Sequence, residues 1–100
     1  MKMKVFVVLS GGSDDSGFME TDVFEHIAVT EEEAKRCIDA KVKEIEEKGF
    51  YAITSEKPEL ILPDNAVFLE GKGGLYDDSF WYYYEPYELD IPDSQTEQVL

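Results

Sequence analysis

The sequence predicts an α+β fold: one small domain with a mostly antiparallel sheet, in the order ββα followed by two or three further strands, and one amphipathic helix packed on it. Three observations predict it. Short apolar, β-branched runs alternate with Gly/Ser or Pro/Asp/Asn clusters; one segment, 31–48, changes to helical spacing; and the longest β-favouring run, Phe80 to Leu89, comes after both. A chain of 100 residues, 43% of them hydrophobic, fits a single core. The domain is expected over 1–90, with 91–100 ("IPDSQTEQVL") as a flexible acidic C-terminal tail.

The first strand is read from Lys4 to Ser10, a valine-rich run closed by "SGGSDDSG", a cluster that turns chains. Two lysines before Val5–Leu9 imitate a secretory leader, but the apolar run is too short and acidic residues follow it. "METDVFEHIAVT" gives a second strand, with Val23, Ile27 and Val29 on one parity and Phe24, His26 and Ala28 on the other. The two are expected to pair as a hairpin.

Thr30 ahead of Glu31, Glu32 and Glu33 is a capping box: the threonine oxygen takes the Glu33 amide proton and the Glu33 side chain reaches back. Ala34, Cys37, Ile38, Val42 and Ile45 then fall on one arc, and Gly49 supplies a left-handed stop. Lys41 lies inside that arc, where a buried stem with a snorkelling ammonium is expected. Beyond the helix, "FYAIT" (50–54), "ELIL" (59–62) and "AVFLE" (66–70) read as short strands, the last two flanking a "PDN" turn. "GKGGLYDDS" (71–79) reads as a loop before the final strand.

Charge limits function more than any motif does. There are 23 acidic against 9 basic residues, a net charge of −14. Phosphate backbones and anionic lipid repel such a chain, so direct nucleic-acid or membrane binding is not expected, and basic protein surfaces are the natural partners. The helix is nearly balanced, with Glu31–Lys35, Glu32–Arg36 and Asp39–Lys43 at spacing four. Most of the excess lies in two stretches without a lysine or arginine, 14–30 and 73–100. A single cysteine, Cys37, cannot form an internal disulfide, which fits a reducing, cytoplasmic setting.

No catalytic constellation stands out. Cys37 on the apolar arc reads as an inert core thiol, and His26, the only histidine, does not make a dyad with it. Asp14-Asp15 and Asp77-Asp78 sit in glycine-containing loops, yet the spacing fails the EF-hand pattern. "EGKGG" lacks the remaining elements of a phosphate loop. No cofactor or metal is implied, and an enzyme is not expected.

"FWYYYEPYELD" (80–90) divides by parity. Trp81, Tyr83, Tyr87 and Leu89 share one side with Glu85; Phe80, Tyr82 and Tyr84 share the other, followed by Pro86 and Glu88. Either the strand is central and covered on both sides, or one aromatic row is exposed. Pro86 lacks an amide proton, which places it at an edge or a bulge. The leading expectation is a non-enzymatic acidic binding module whose partner-binding residues are Tyr82, Tyr84, Glu85, Glu88, Asp90, Asp14, Asp15 and Asp22, since tyrosine beside carboxylate suits a basic, arginine-bearing surface. Carboxylates spread over a rigid sheet can also imitate phosphates. Small inhibitors of phages and mobile elements do this to block nucleic-acid-binding proteins, and the chain is similar to that group in size and acidity without sharing a motif. Mimicry requires the acids to converge on one face. The alternatives are a structural α+β domain, homodimeric through its last strand, or a small metal-dependent or cysteine enzyme.

Overall fold

The computed structural model describes residues 1–14, 19–55, 61–72 and 78–91. The elements run β1 (Lys2–Ser13), β2 (Met19–Ala28), α1 (Glu31–Glu47), β3 (Tyr51–Thr54), β4 (Val67–Gly71) and β5 (Ser79–Asp90). The five strands form one antiparallel sheet in the order β2-β1-β5-β4-β3. This is the α+β sheet-and-helix fold that the sequence predicts. The last strand is the middle one, which puts the aromatic run at the centre of the sheet. The expected 71–79 loop falls largely, and the tail beyond Ile91 entirely, outside the described residues.

α1 forms where its cap and arc predict. The Thr30 hydroxyl accepts from the Glu33 amide at 3.1 Å, while the Glu33 carboxylate reaches one residue further back than a capping box requires, to the Val29 amide at 3.1 Å. Ala34, Ile38 and Val42 are buried, Cys37 and Ile45 partly so, and Gly49 ends the helix at φ +82°. The Lys41 ammonium does emerge from the arc, to Glu25 at 3.4 Å. Of the pairs at spacing four, Glu31–Lys35 closes at 3.6 Å, and Lys43 turns to Glu47 instead of Asp39.

Each face of the sheet carries its own core. Val8, Ala28, Leu69 and Tyr84 pack under the helix against Ala34, Ile38 and Val42. On the opposite, helix-free face Leu9, Phe68, Trp81 and Tyr83 pack together, covered by Leu62 and Ala66 from the segment between β3 and β4. "ELIL" therefore covers instead of pairing: its described residues, Ile61 and Leu62, are not in a strand. A Pro63–Ala66 turn closes the segment, with the Ala66 amide donating to the Pro63 carbonyl at 3.0 Å.

Two local differences from the sequence reading reshape the sheet. β1 does not turn at its glycines. It continues through Gly11 and Gly12, which pair with Trp81 and Phe80, because a Cβ on Gly11 would collide with the Trp81 indole and the Glu20 carbonyl. The glycine serves close approach here and not a bend. β2 carries two irregularities: Val8 pairs with His26 but Leu9 with Phe24, leaving Glu25 as an extra residue, and a second shift lies between Ser10 and Gly12. Each extra residue reverses the alternation, so Val23 and Ile27 do not share a face, and Phe24 joins Ile27 instead.

Pro86 sits in the long β1–β5 ladder opposite Phe6. In an antiparallel ladder alternate residues direct their amides to opposite neighbours, and Tyr84, two residues before Pro86, directs its amide away from β1, to the Asn65 side-chain oxygen at 2.9 Å. Asn65 also donates to the Tyr84 carbonyl at 3.0 Å, so it stands where β4 pairing with β5 has ended at Tyr82. The missing amide of Pro86 thus points to an edge beyond β4, and no ladder bond is lost.

Candidate functional site

Beyond the 61–66 segment, no described residue covers the helix-free face. Strand register places Phe24 beside Leu9 and Tyr83, Ile27 beside Val7 and Glu85, Val5 beside Tyr87, and Met3 beside Leu89. On this face Trp81 and Tyr83 are 0% and 1% exposed, but Phe24 is 61% exposed, Ile27 48%, Tyr87 47%, Leu89 44% and Met3 36%. One strand row therefore runs from core to solvent within eight residues. The reason is geometric. β1 and β5 each span 12 residues, and their far ends extend past the last partners on β2 and β4, which leaves Met3, Tyr87 and Leu89 exposed while Val5 between them stays buried. Phe24 and Ile27 lie on β2, an outermost strand.

Asp22 and Glu85 lie within this apolar area. Asp22 has a left-handed backbone, φ 55°, at the second irregularity of β2, and its carboxylate accepts from the Tyr83 hydroxyl. Burial, then that hydrogen bond, push the Tyr83 phenol far up. Glu85 accepts from the Tyr87 hydroxyl at 3.1 Å, and this bond raises the Tyr87 phenol in turn. The strand positions that make up the area, on β2, β1 and the far half of β5, include no lysine or arginine among the described residues.

Seven of the eight sequence-predicted residues separate into four groups. Asp22 and Glu85 share the open area just described. Tyr84 is not a surface residue: its ring stands in the helix-side core and its hydroxyl donates to Glu31 at 2.6 Å, which pushes the phenol up to about 12. The sequence leaves two readings of its row, and covering by α1 selects the buried one for Tyr84. Glu88 and Asp90 stand at the far end of the β1–β5 ribbon on the parity of Lys2 and Lys4; Glu88 pairs with Lys2 at 3.4 Å and Asp90 with the amino terminus at 4.0 Å. Asp14 and Tyr82 line a cavity of about 250 Å³ with Ser10, Gly12, Glu20 and Asp78, at the other end of β1. Asp15 lies outside the described residues. The described acids thus divide between both faces and both ends of the sheet, not the single face that phosphate mimicry calls for.

Sequence reasoning missed Phe24, Ile27, Met3, Tyr87 and Leu89. Parity assigns Tyr87 and Leu89 to the side of Trp81 and Tyr83, but their exposure depends on where the neighbouring strands stop. His26 is half-buried against Glu33 at 3.4 Å, and Cys37 is partly buried in the helix-side core, so the two are engaged separately. Among the described residues, no helix is long and apolar enough to cross a membrane, and no group of three or more His, Cys, Asp or Glu could hold a metal ion. No family model matches the chain, and no curated protein and no solved structure matches it.

Proposed function

We propose that this chain is a non-enzymatic binding module that docks on a basic protein surface through the open half of its helix-free face. One observation carries the reading: Phe24, Ile27, Tyr87, Leu89 and Met3 are exposed side by side around Asp22 and Glu85, with no base among the strand positions of that area. Contiguous exposed apolar surface is uncommon on monomers and marks interaction sites. Aromatic anchors supply the buried centre of an interface, while the carboxylates select a cationic rim and speed encounter. The net charge of −14 adds long-range steering toward a positive partner, such as a nucleic-acid-binding protein presents. The reading does not extend to phosphate mimicry, because Glu88, Asp90 and Asp14 lie away from the area.

The test is affinity capture from the native cell with three baits: the wild type, Phe24→Ser/Ile27→Ser and Glu85→Lys. A basic protein is recovered by the wild type, is lost with the double variant and is reduced with Glu85→Lys, and its recovery falls as salt rises from about 50 to 500 mM. Equal recovery by all three baits contradicts the proposal. So does sedimentation showing a dimer that the double variant abolishes, since the patch would then be taken by a second copy.

A further inference from the structure

At the opposite end of the molecule, on the helix side of the sheet, two cavities share a floor. The first, about 250 Å³, is lined by Ser10, Gly12, Asp14, Glu20 and Asp78; the second, about 210 Å³, by Ile45, Lys48, Phe50 and Tyr51; Phe80 and Tyr82 line both. The Tyr51 hydroxyl donates to Asp78 at 2.8 Å, and its ring meets Phe80 at 4.6 Å between centroids, so the lobes share a wall as well as a floor. Together the two volumes fall in the range of small-molecule sites.

The lobes differ in chemistry. One has carboxylates over an aromatic floor; the other is apolar, with a single ammonium, Lys48, at its lip. A cation is stabilised in the first by the carboxylates, beside the aromatic residues Phe80 and Tyr82 that line it, and Lys48 repels it from the second. An apolar body fits the second, where Phe50 and Ile45 offer surface to cover. Gly12 lines the first lobe, and a Cβ there would press against the Phe80 ring at 3.3 Å and the Ser79 carbonyl at 3.2 Å. We propose that this two-lobed groove binds an organic cation, an amine or guanidine carried on an aromatic or aliphatic body, with the charge between Asp14, Glu20 and Asp78 and the body against Ile45, Phe50 and Tyr51. The groove lies away from the open face of β1, β2 and β5, so it is a second site, independent of protein docking there.

The experiment is a titration of the isotopically labelled full chain followed by amide chemical shifts. Its probes are phenethylamine, the neutral isostere 2-phenylethanol, methylguanidine, and the capped dipeptide N-acetyl-Arg-Phe-amide. Phenethylamine shifts the amides of Gly12, Glu20, Phe80, Tyr82 and Phe50 and leaves those of Phe24, Ile27 and Tyr87 in place. The alcohol binds about tenfold more weakly, the loss expected when the charge is removed. Tighter binding of phenethylamine assigns the groove to free amines; tighter binding of the dipeptide assigns it to a peptide-borne arginine. Glu20→Gln weakens every cationic probe, and Phe50→Ser weakens phenethylamine more than it weakens methylguanidine, which has no body; both residues are exposed, and unchanged shifts elsewhere report an intact fold. Equal binding of alcohol and amine overturns the proposal, as do shifts scattered over the acidic surface or no shift at millimolar probe.

Discussion

The two faces of the sheet are built from the same five strands and have different fates. On the helix side α1, 17 residues long, lies over Val8, Ala28, Leu69 and Tyr84. On the other side a short segment around Leu62 and Ala66 covers Trp81, Tyr83, Phe68 and Leu9, and among the described residues coverage ends there. Phe24, Ile27, Tyr87 and Leu89 are no less apolar than the residues beneath the cover, yet they meet solvent. Past the covering segment the same apolar face meets solvent at Phe24, Ile27, Tyr87 and Leu89, with Val5 still buried between its neighbours.

The largest test of that comparison removes the anchor of the helix-free core. Trp81→Ala should cost about 3–5 kcal/mol, as much as Ile38→Ala at about 2–5 kcal/mol on the helix side. Urea unfolding of both variants measures this. A Trp81 loss near zero would mean the 61–66 segment covers without packing. Next in size, Thr30→Ala removes the oxygen that takes the Glu33 amide and should cost about 1 kcal/mol in the same assay, on the helix side only.

Tyr84→Phe follows, at about 0.5–1.5 kcal/mol for the lost bond to Glu31. Its pH signature has a definite sign. The folded Tyr84 phenol is raised to about 12 and the unfolded one titrates near 10, so the folded state holds its proton longer. That stabilisation is complete below about pH 10 and is lost as pH rises through about 12. Tyr84→Phe should flatten part of this alkaline loss, with the remainder due to Tyr83, raised by burial and by its bond to Asp22, and to Tyr82 and Tyr87, which are raised by burial and by the bond to Glu85 respectively. At the acid end the sign reverses. Hydrogen bonds from Tyr84 and Val29 lower Glu31 and Glu33 respectively, so their contribution is present above the ordinary carboxylate range and disappears as pH falls below it. The smallest effect belongs to the open half: Ile27→Ser should change stability by no more than about 0.5 kcal/mol, because the side chain is half exposed.

Much of this fold was legible in the chain. The cap at Thr30, the arc from Ala34 to Ile45 and the stop at Gly49 are local signals, and local chemistry decides them. The hairpin of β1 with β2 and the parity of Trp81 against Tyr82 were equally readable. What could not be read was long-range. Gly11 looks like a turn residue until Trp81 is placed over it from 70 positions away. The extra residue at Glu25, which brings Phe24 to the same face as Ile27, leaves no mark in the sequence pattern. Tyr84 was grouped with surface residues because the covering helix cannot be positioned from one strand's alternation. Asp22 and Glu85 stand out in the sequence for their charge, and they share a face of the sheet, but the exposed apolar residues around them are hidden by strand ends that only the sheet reveals.

The most direct measurement is side-chain solvent accessibility in the free chain and with its captured partner, read from attenuation of methyl signals by a neutral soluble paramagnetic chelate. In the free monomer Ile27, Leu89 and Met3 should be strongly attenuated while Val8, Leu9 and Leu69 are spared, and the partner should restore the first three. Ile27 and Leu89 as protected as Val8 in the free chain, or as attenuated with the partner as without it, would contradict an open half built for docking.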